Sequence, residues 1–416
     1  MSVVAELEQL AAFSTASPPA VTRVVFSQED MHARACLKQL CRNAGLAIRE
    51  DAVGNMFARW HGTNPQAGAV GTGSHIDAIP NSGRYDGTVG VLGGLEAIRL
   101  LQRSRFQPER SIDLLLFTSE EPTRFGIGCL GSRLLSGTLD PAVADNLVDA
   151  EGQSLRELRN RAGFQGPLQE VRLSPDHYSA FIELHIEQGP LLESSGTALG
   201  IVTALAAPAS LRLEIHGEGG HAGAVLMPHR RDAFIGASEI ALAIEKAALS
   251  TGAPDTVATT GCCHVFPNAV NSIPSRVTLE VDVRDIEGER RDSVVRIISD
   301  AAKRIASERR LQIEIAIVNA DPPAYCDERV VAALEQAAAA LGLPQTKMIS
   351  RAYHDSLFMS RIAPVGMLFI PCRGGVSHRP DEYAAPEHIA DGVRTLAEAL
   401  RLLASGFYRA AKIYEP

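Results

Sequence analysis

The change in strand pattern along the chain constrains the fold more than any other feature. Ile112–Thr118 and Phe181–Ile186 are short, mostly apolar runs in the first half, and helical stretches alternate with them. Strands of this kind belong to parallel sheets that helices cover on both faces. Leu211–Ile215 and Val277–Arg284 instead alternate apolar and polar residues, as strands with one solvated face do.

The alternating strands predict a separate α+β unit inserted into a larger domain. Two helical segments lie between these strands, and the α/β pattern returns after residue 318. We therefore predict an α/β fold, with a mixed, mostly parallel sheet and helices on both faces. The catalytic domain would be discontinuous, over 1–203 and 319–416, and 204–318 would form an inserted lid and dimerisation domain.

The composition excludes several classes of protein. The formal net charge of −9 is opposite in sign to what a nucleic-acid or anionic-membrane partner requires. Seven cysteines without a CxxC pair predict neither a disulfide framework nor a thiolate zinc site. No basic stretch precedes an apolar run at the N-terminus, so no secretory signal is predicted. We expect a cytoplasmic enzyme.

Three polar residues follow the first predicted buried strand. His75 and Asp77 are two residues apart, so in an extended chain they face the same side. One residue could then ligate a metal while the other orients the ligating side chain. Asp86 precedes a predicted helix, and its two carboxylate oxygens could bridge two cations. A turn with a solvated aspartate, or an N-cap role for Asp86, is the plainer alternative.

Further ligand-type side chains occur in and after other predicted strands. Glu120 and Glu121 point in different directions, so one could ligate while the other acts as general base. Favourable charges at a helix N-terminus are the alternative. His185 lies within an apolar strand and His378 in a glycine-rich loop. Taken alone, His185 could be an ordinary core residue, and His378 could be an ordinary loop residue.

Three histidines and two of these carboxylates together predict a pair of metal ions. Nitrogen and oxygen ligands without a thiolate suit zinc, manganese or cobalt. Five protein ligands are too many for one open zinc site. Two ions about 3.5–4 Å apart, bridged by one carboxylate and a water, would use them all. Such a pair polarises a carbonyl, and a nearby glutamate moves a proton to a leaving amine.

The segments that carry these residues resemble one family over nearly the whole chain. The chain is similar to the amidase, hydantoinase and carbamoylase family of dinuclear metal amidohydrolases, relatives of the aminoacylase and carboxypeptidase clan. The matching segments are GTGSHIDAIPNSGRYDGTVGVLG, FTSEEPTRFG, ELHIEQGP, GGHAGAVLMPHRRDA, NAVNSIPS, DVRDI, YHDSLFM and GVSHRPDEY. The resemblance implies two divalent ions, with manganese expected and zinc or cobalt as alternatives.

The resemblance also implies a role for each residue of the site. Asp86 bridges the two ions, Glu120 is the general acid/base, and Asp77 orients His75 from behind. The clan's peptidases usually have a carboxylate where this chain has His185, which favours the amidohydrolase branch. The implied terminal ligands are His75, Glu121, His185 and His378.

Further resemblances concern substrate binding. His221, on a glycine-flanked loop, is similar to a histidine that reaches the partner subunit's active site and stabilises an oxyanion, which implies a homodimer. Asn271 and Arg284 resemble a clamp for the substrate carboxylate. A salt bridge between Arg284 and a neighbouring aspartate is the alternative. Gln188 resembles the residue that contacts the ureido group.

Three segments bear on the choice of substrate. TALAAPASL, MISRAYHDSLFM and MLFIPCRGGVSHRPDEY are most similar to family members that convert ureidoglycolate to glyoxylate, ammonia and carbon dioxide in purine degradation. Tyr353 stands where hydrolases of allantoate and carbamoyl amino acids usually have glycine. With His354 beside it, Tyr353 would fill space and offer a hydroxyl, which favours a small hydroxyl-bearing substrate. Simple packing is the alternative role of Tyr353.

Other hypotheses use the same residues. Hydrolysis of allantoate or of N-carbamoyl-L-amino acids is the nearest alternative. A peptidase or aminoacylase with the same metal core would cleave N-acyl or peptide bonds and have an open pocket near Tyr353. A non-enzymatic binding protein would keep the fold but lose a ligand or Glu120. Because all of these residues are present, we expect an enzyme.

Overall fold

The described part of the chain, residues 2–405 of a computed structural model, contains two units. Ala204–Ala324 and Ile349–Tyr353 form the second unit, and the other described residues form the first. The inserted domain predicted over 204–318 falls within the second unit. Of the predicted catalytic domain, Met1 and 406–416 lie outside the described residues. No helix within residues 2–405 combines the length and apolar character needed to cross a membrane.

The α-helices are numbered in chain order. They are α1 Val3–Ala11, α2 Gln28–Asn43, α3 Thr88–Arg103, α4 Leu130–Ser136, α5 Pro141–Asp145, α6 Leu155–Arg161, α7 Leu191–Ser195, α8 Ala233–Leu249, α9 Gly288–Glu308, α10 Glu328–Ala340, α11 Asp355–Met359 and α12 Pro386–Ala404. Short 3-10 turns cover Leu168–Glu170, Met227–His229 and Arg373–Gly375. Polar side chains cap several helices: Asp232, for example, accepts hydrogen bonds from two backbone N–H groups at the start of α8.

The strands are numbered in the same way. They are β1 Val21–Arg23, β2 Ala47–Glu50, β3 Met56–Trp60, β4 Ala69–Ser74, β5 Ala78–Ser82, β6 Ile112–Leu116, β7 Tyr178–Ile186, β8 Leu199–Leu205, β9 Ala207–His216, β10 Gly220–His221, β11 Val257–Phe266, β12 Ser272–Ile273, β13 Arg276–Asp285, β14 Gln312–Ala320, β15 Ala324–Tyr325, β16 Gln345–Ser350 and β17 Val365–Ile370. The predicted apolar runs thus form β6 and part of β7.

The first unit is built on a mixed sheet in the order β15-β8-β17-β7-β4-β6-β3-β2, with β16 paired to β8. Its centre is parallel, because β17 and β4 each pair in parallel with β7, and β4 does so with β6. β3 and β8 add antiparallel strands on either side of this centre. Every residue of β4, β6 and β17 is buried, as expected of strands covered on both faces.

Helices cover both faces of this sheet. Leu184 of β7 packs against glycines of α3 and α12, which allow these helices to approach closely. Phe181, three residues earlier and therefore on the opposite face, packs in a cluster that includes Leu130 and Leu134 of α4. The predicted α/β class, with a mixed sheet between layers of helices, is confirmed.

The second unit has a different architecture. Its antiparallel sheet has the order β11-β13-β9-β14, and α8 and α9 pack against it. Along β13, Val277, Leu279, Val281 and Val283 are buried in the core, while the residues between them lie on the other, more exposed face. The alternating sequence pattern therefore reflects a sheet that helices cover on one face only.

Candidate active site

The first candidate residues follow the buried strand β4. His75 is 2% exposed, and its Nδ1 lies 3.0 Å from the carbonyl oxygen of Asp77. This contact fixes the ring so that Nε2 faces Asp86 and Glu120, with Oδ1 and Oε2 each 3.7 Å away. The sequence prediction treated the segment as extended, but β4 ends at Ser74. Asp77 therefore contacts His75 mainly through its backbone carbonyl.

The carboxylate of Asp77 organises the next segment. Its two oxygens accept hydrogen bonds from the backbone N–H groups of Glu120 (3.3 Å) and Glu121 (3.0 Å). Both glutamates follow β6, and one buried carboxylate binds the backbone of both. Their backbone positions are therefore fixed, and their side chains point in different directions. Asp77 thus links the segment after β4 to the segment after β6.

Asp86 lies at the centre of the candidate ligands. Its Oδ1 is 3.1 Å from His185 Nε2, and its Oδ2 is 3.1 Å from His378 Nε2. The next residue, Gly87, has φ of +59°, and a Cβ built there would lie 2.3 Å from His75 Nε2. Glycine is therefore required at this position, both for the left-handed backbone and for the close approach to His75.

The five candidate ligands sort into two groups that share Asp86. In one, ligand atoms of His75, Asp86 and His185 lie within 4.8 Å of one another; in the other, those of Asp86, Glu121 and His378 do. The three residues of the first group are buried, whereas His378 is exposed. Its Nε2 is 3.4 Å from Glu121 Oε1. The arrangement can hold two cations side by side with one shared carboxylate.

Burial and charge shift the pKa values of these groups. Burial raises the pKa of Glu120 well above its usual range, and burial with the charge of Asp86 raises that of Glu121 to about 7. The hydrogen bond to Asp86 raises the pKa of His378 to about 9. Burial alone would raise the pKa of Asp86, but hydrogen bonds from three histidines hold it well below its usual range. Carboxylates crowded in this way favour a bound cation.

Gln188 contacts the site in an unexpected way. The sequence resemblance assigned it to the substrate, but its Nε2 donates a hydrogen bond to Asp86 Oδ2 at 2.8 Å. The hydroxyl of Ser377 also lies 2.8 Å from Asp86 Oδ2. Ser377 contacts Glu382 as well, and Glu382 accepts hydrogen bonds from the backbone N–H groups of Tyr85 and Asp86. These residues hold the central carboxylate in place.

A second buried network lies beside His185. Glu183 accepts hydrogen bonds from the hydroxyls of Ser74 (2.7 Å) and Ser356 (2.6 Å). It also forms a close group with His185 and His354, whose rings are 4.6 Å apart. His354 was predicted to contact the substrate, and Glu183 was not among the predicted site residues. The spacing of two residues between Glu183 and His185 in a strand was the available signal.

The other candidates lie in the second unit. His221 and Asn271 are exposed, and their backbones belong to or adjoin the short β10–β12 ladder. The guanidinium of Arg284 pairs with Asp282 at 2.7 Å, two residues earlier on the same face of β13, which is the alternative weighed above. Arg284 also donates to the carbonyl of Arg351. Tyr353 donates its hydroxyl hydrogen bond to Asp321 within the same unit.

Comparison with known proteins identifies the family. Residues 71–402 match the family described as peptidase family M20/M25/M40. The chain belongs to this family. It is 53% identical to the ureidoglycolate hydrolase of Oryza sativa subsp. japonica, over 96% of this chain and 83% of that protein. It is 39% identical to the N-carbamoyl-L-amino acid amidohydrolase of Geobacillus stearothermophilus, over 93% and 94% of the two chains.

A solved structure agrees with this membership of the M20/M25/M40 family. The crystal structure of AtUAH in complex with glyoxylate has a TM-score of 0.89 and 51% sequence identity, with 97% of each chain covered. The predicted resemblance to amidohydrolases of the aminoacylase and carboxypeptidase clan is therefore confirmed. The donor set of this member, imidazole nitrogens and carboxylate oxygens around a shared carboxylate, fits divalent metal ions.

Proposed function

We propose that this chain is a metal-dependent amidohydrolase that cleaves the ureido C–N bond of ureidoglycolate and yields glyoxylate, ammonia and carbon dioxide. One observation carries the proposal: each carboxylate oxygen of Asp86 faces a separate ligand group, with Glu120 near the first group. The identity to the rice ureidoglycolate hydrolase supports the choice of substrate.

Two divalent ions are part of the proposal. His75 and His185 would hold one ion together with Asp86 Oδ1. Glu121 and His378 would hold the other together with Asp86 Oδ2. When bound, such a pair polarises a carbonyl and lowers the pKa of a water toward neutrality. We propose manganese as the native ion. Zinc and cobalt are alternatives, because imidazole and carboxylate ligands accept all three metals.

Glu120 carries the proton in this proposal. Its Oε2 lies 3.7 Å from His75 Nε2, so the carboxylate borders the first ligand group. Burial raises its pKa, which suits a group that takes a proton from water and passes it to a leaving nitrogen. Asp77 supports this role because it binds the backbone N–H groups of Glu120 and Glu121 and so fixes where both side chains begin.

The proposed reaction balances with one water molecule. Water adds to the ureido carbonyl carbon, and the bond from this carbon to the nitrogen of the hydroxyglycine portion breaks. Glu120 delivers the proton that this nitrogen needs to leave. The carbamate that forms separates into ammonia and carbon dioxide. Hydroxyglycine then loses its amino group as a second ammonia and leaves glyoxylate.

The second unit would supply substrate recognition and a homodimer contact. We assign oxyanion stabilisation in the partner subunit's active site to His221, and carboxylate binding to Asn271 and Arg284. The exposure of His221 and Asn271 supports contacts with a substrate or another subunit. We also propose a cytoplasmic location, which the seven unpaired cysteines support.

The hydroxyl of Tyr353 supports ureidoglycolate over its alternatives. Since this hydroxyl donates to Asp321, its oxygen can accept a hydrogen bond from a hydroxyl-bearing substrate. We assign His354, the next residue, to the same substrate. The identity to a carbamoyl-amino-acid hydrolase makes N-carbamoyl-L-amino acids the second candidate. Allantoate is a further alternative, and N-acyl amino acids or peptides are a more remote one.

Ammonia release from manganese-reconstituted protein tests the function. The substrates would be ureidoglycolate, allantoate, several N-carbamoyl-L-amino acids and an N-acetyl amino acid, each with and without a chelator. Since the last compound has no ureido group, its cleavage would be followed by release of the amino acid. We expect strong, chelator-sensitive turnover of ureidoglycolate. Preference for another substrate would contradict the assignment, and turnover that resists the chelator would contradict the metal-dependent mechanism.

A further inference from the structure

We propose that Cys129 is a positioning residue for Glu120: its buried thiol holds one carboxylate oxygen so that the other faces the ligand groups. This inference rests on the proposed role of Glu120 as general acid/base. The Cys129 Sγ lies 3.3 Å from Glu120 Oε1, a distance at which a thiol donates a hydrogen bond. Among the described residues, no other side chain donates to this oxygen. Glu120 Oε2 remains directed toward His75.

The backbone around Cys129 is built to hold this contact. Its N–H donates to the carbonyl oxygen of Glu120 at 2.7 Å, so Cys129 binds both the backbone and the side chain of the same residue. Leu130 N–H donates to Ser119, and Gly131 N–H to Thr118, which extends the pairing. The segment that starts α4 is thereby fastened to the segment that follows β6.

The conformation of Cys129 indicates that its position is specifically maintained. Cys129 precedes α4 with φ of +56°, and Ser119, beside Glu120, has φ of +55°. Residues other than glycine rarely adopt this left-handed region, so the surrounding structure has to hold both residues in it. The hydrogen bonds between the two segments keep both residues in this conformation. Together they aim the thiol at the carboxylate.

The environment keeps the thiol in its donor form. Cys129 is fully buried, and burial together with the negative charge of Glu120 holds its pKa well above the usual range. A thiol in this setting retains its proton and is a poor nucleophile. The contact therefore supplies a hydrogen-bond donor to Glu120, and it does so without placing a second charge in the site.

Cys129→Ala tests the proposal directly. Alanine keeps the Cβ, so the left-handed backbone is no more strained than before, and only the donor is lost. We expect kcat to fall about tenfold with KM within about twofold, because a proton carrier that samples several orientations is seldom in the reactive one. Cys129→Ser keeps a donor and should restore most of the rate. Bound metal per chain should not change.

Cys41→Ala is the matched control. Cys41 is as fully buried, in α2, and no described residue accepts a hydrogen bond from its thiol. Cys41→Ala removes the same thiol group as Cys129→Ala but should leave kcat within about twofold. If Cys129→Ala behaves like Cys41→Ala, or if it loses metal, the positioning role is wrong.

Infrared spectroscopy of the metal-free protein tests the same bond without any substrate. Subtracting the spectrum of each alanine variant from the native spectrum isolates the S–H stretching band of that cysteine. We expect the Cys129 band at a lower frequency than the Cys41 band, and Glu120→Ala should remove the difference. Equal frequencies would overturn the proposal. Absence of ureidoglycolate turnover would sink the proposed function but leave this comparison valid.

Discussion

The two units place their candidate residues in opposite surroundings. In the first unit, His75 and His185 are 2% and 0% exposed and lie in or after strands that are buried along most of their length. In the second unit, His221 and Asn271 are exposed, and Arg284 lies on the solvated face of β13. Buried, mutually contacting ligands can form a binding centre within one unit. Exposed polar side chains are instead available to contact a substrate or another subunit.

This difference predicts that chemistry depends on the first unit and that recognition depends on the second. Glu120→Gln should give the largest effect, a fall in kcat of about 10³-fold, because an amide cannot carry the proton. Bound metal per chain should stay constant. Glu280→Gln, at a half-buried glutamate of β13 that pairs with Arg212, is the matched control and should leave kcat unchanged. Normal rates in the Glu120 variant would refute its role.

His221→Ala should have the next largest effect. Loss of an oxyanion donor lowers kcat by about 10²-fold or more, without change in metal content or thermal unfolding. His61→Ala, an exposed histidine of the first unit, serves as control. Mixing the His221 variant with an inactive Glu120→Gln variant sharpens the test. Recovery of activity in the mixture requires donation between subunits, and no recovery would exclude it.

Arg284→Ala should act mainly on substrate binding. We expect KM for a carboxylate substrate to rise about tenfold to a hundredfold, because a charged hydrogen bond is lost. Arg284→Lys should recover part of the binding, since lysine lacks the planar fork. An unchanged KM in steady-state kinetics would contradict carboxylate binding and leave Arg284 with only its pair with Asp282.

The smallest effect concerns the stability of the metal-free protein. The folded-state pKa of Glu121 is raised from 4.5 to about 7, so the folded state binds this proton more tightly and loses stability as pH rises through that range. Protonated His378 contributes stability below pH 6.5 that is lost as pH rises through about 9. Both groups therefore make the folded state less stable as pH rises. Calorimetry should show Tm falling by roughly 5 °C from pH 5 to pH 9.

Glu121→Gln separates the contributions to this pH dependence. The variant should lose the part of the slope that belongs to Glu121 and keep the rest, including that of His378. Manganese should reverse the trend in the native protein because it binds the deprotonated ligands. A metal-free protein whose Tm rises with pH would contradict the charge balance described for the first unit.

The sequence alone determined the class of fold and the residue types of the site. Apolar runs and alternating runs distinguished the two sheets. A strand buried on both faces is apolar throughout, whereas a strand buried on one face alternates apolar and polar residues. His75, Asp86 and His185 were chosen for their chemistry and their proximity to predicted strands, and the structure brings their ligand atoms within 4.8 Å of one another. Parallel strands deliver such residues to one edge of the sheet.

Only the tertiary structure decided how these side chains are aimed. Glu382 holds the Asp86 backbone from 296 residues away, and no local pattern predicts that contact. Gln188 binds Asp86, and Cys129 binds Glu120, through turns whose backbone geometry depends on packing. Hydrophobic periodicity specifies which face of an element is buried. The direction of a polar side chain depends on distant donors and acceptors, which meet only when the fold is complete.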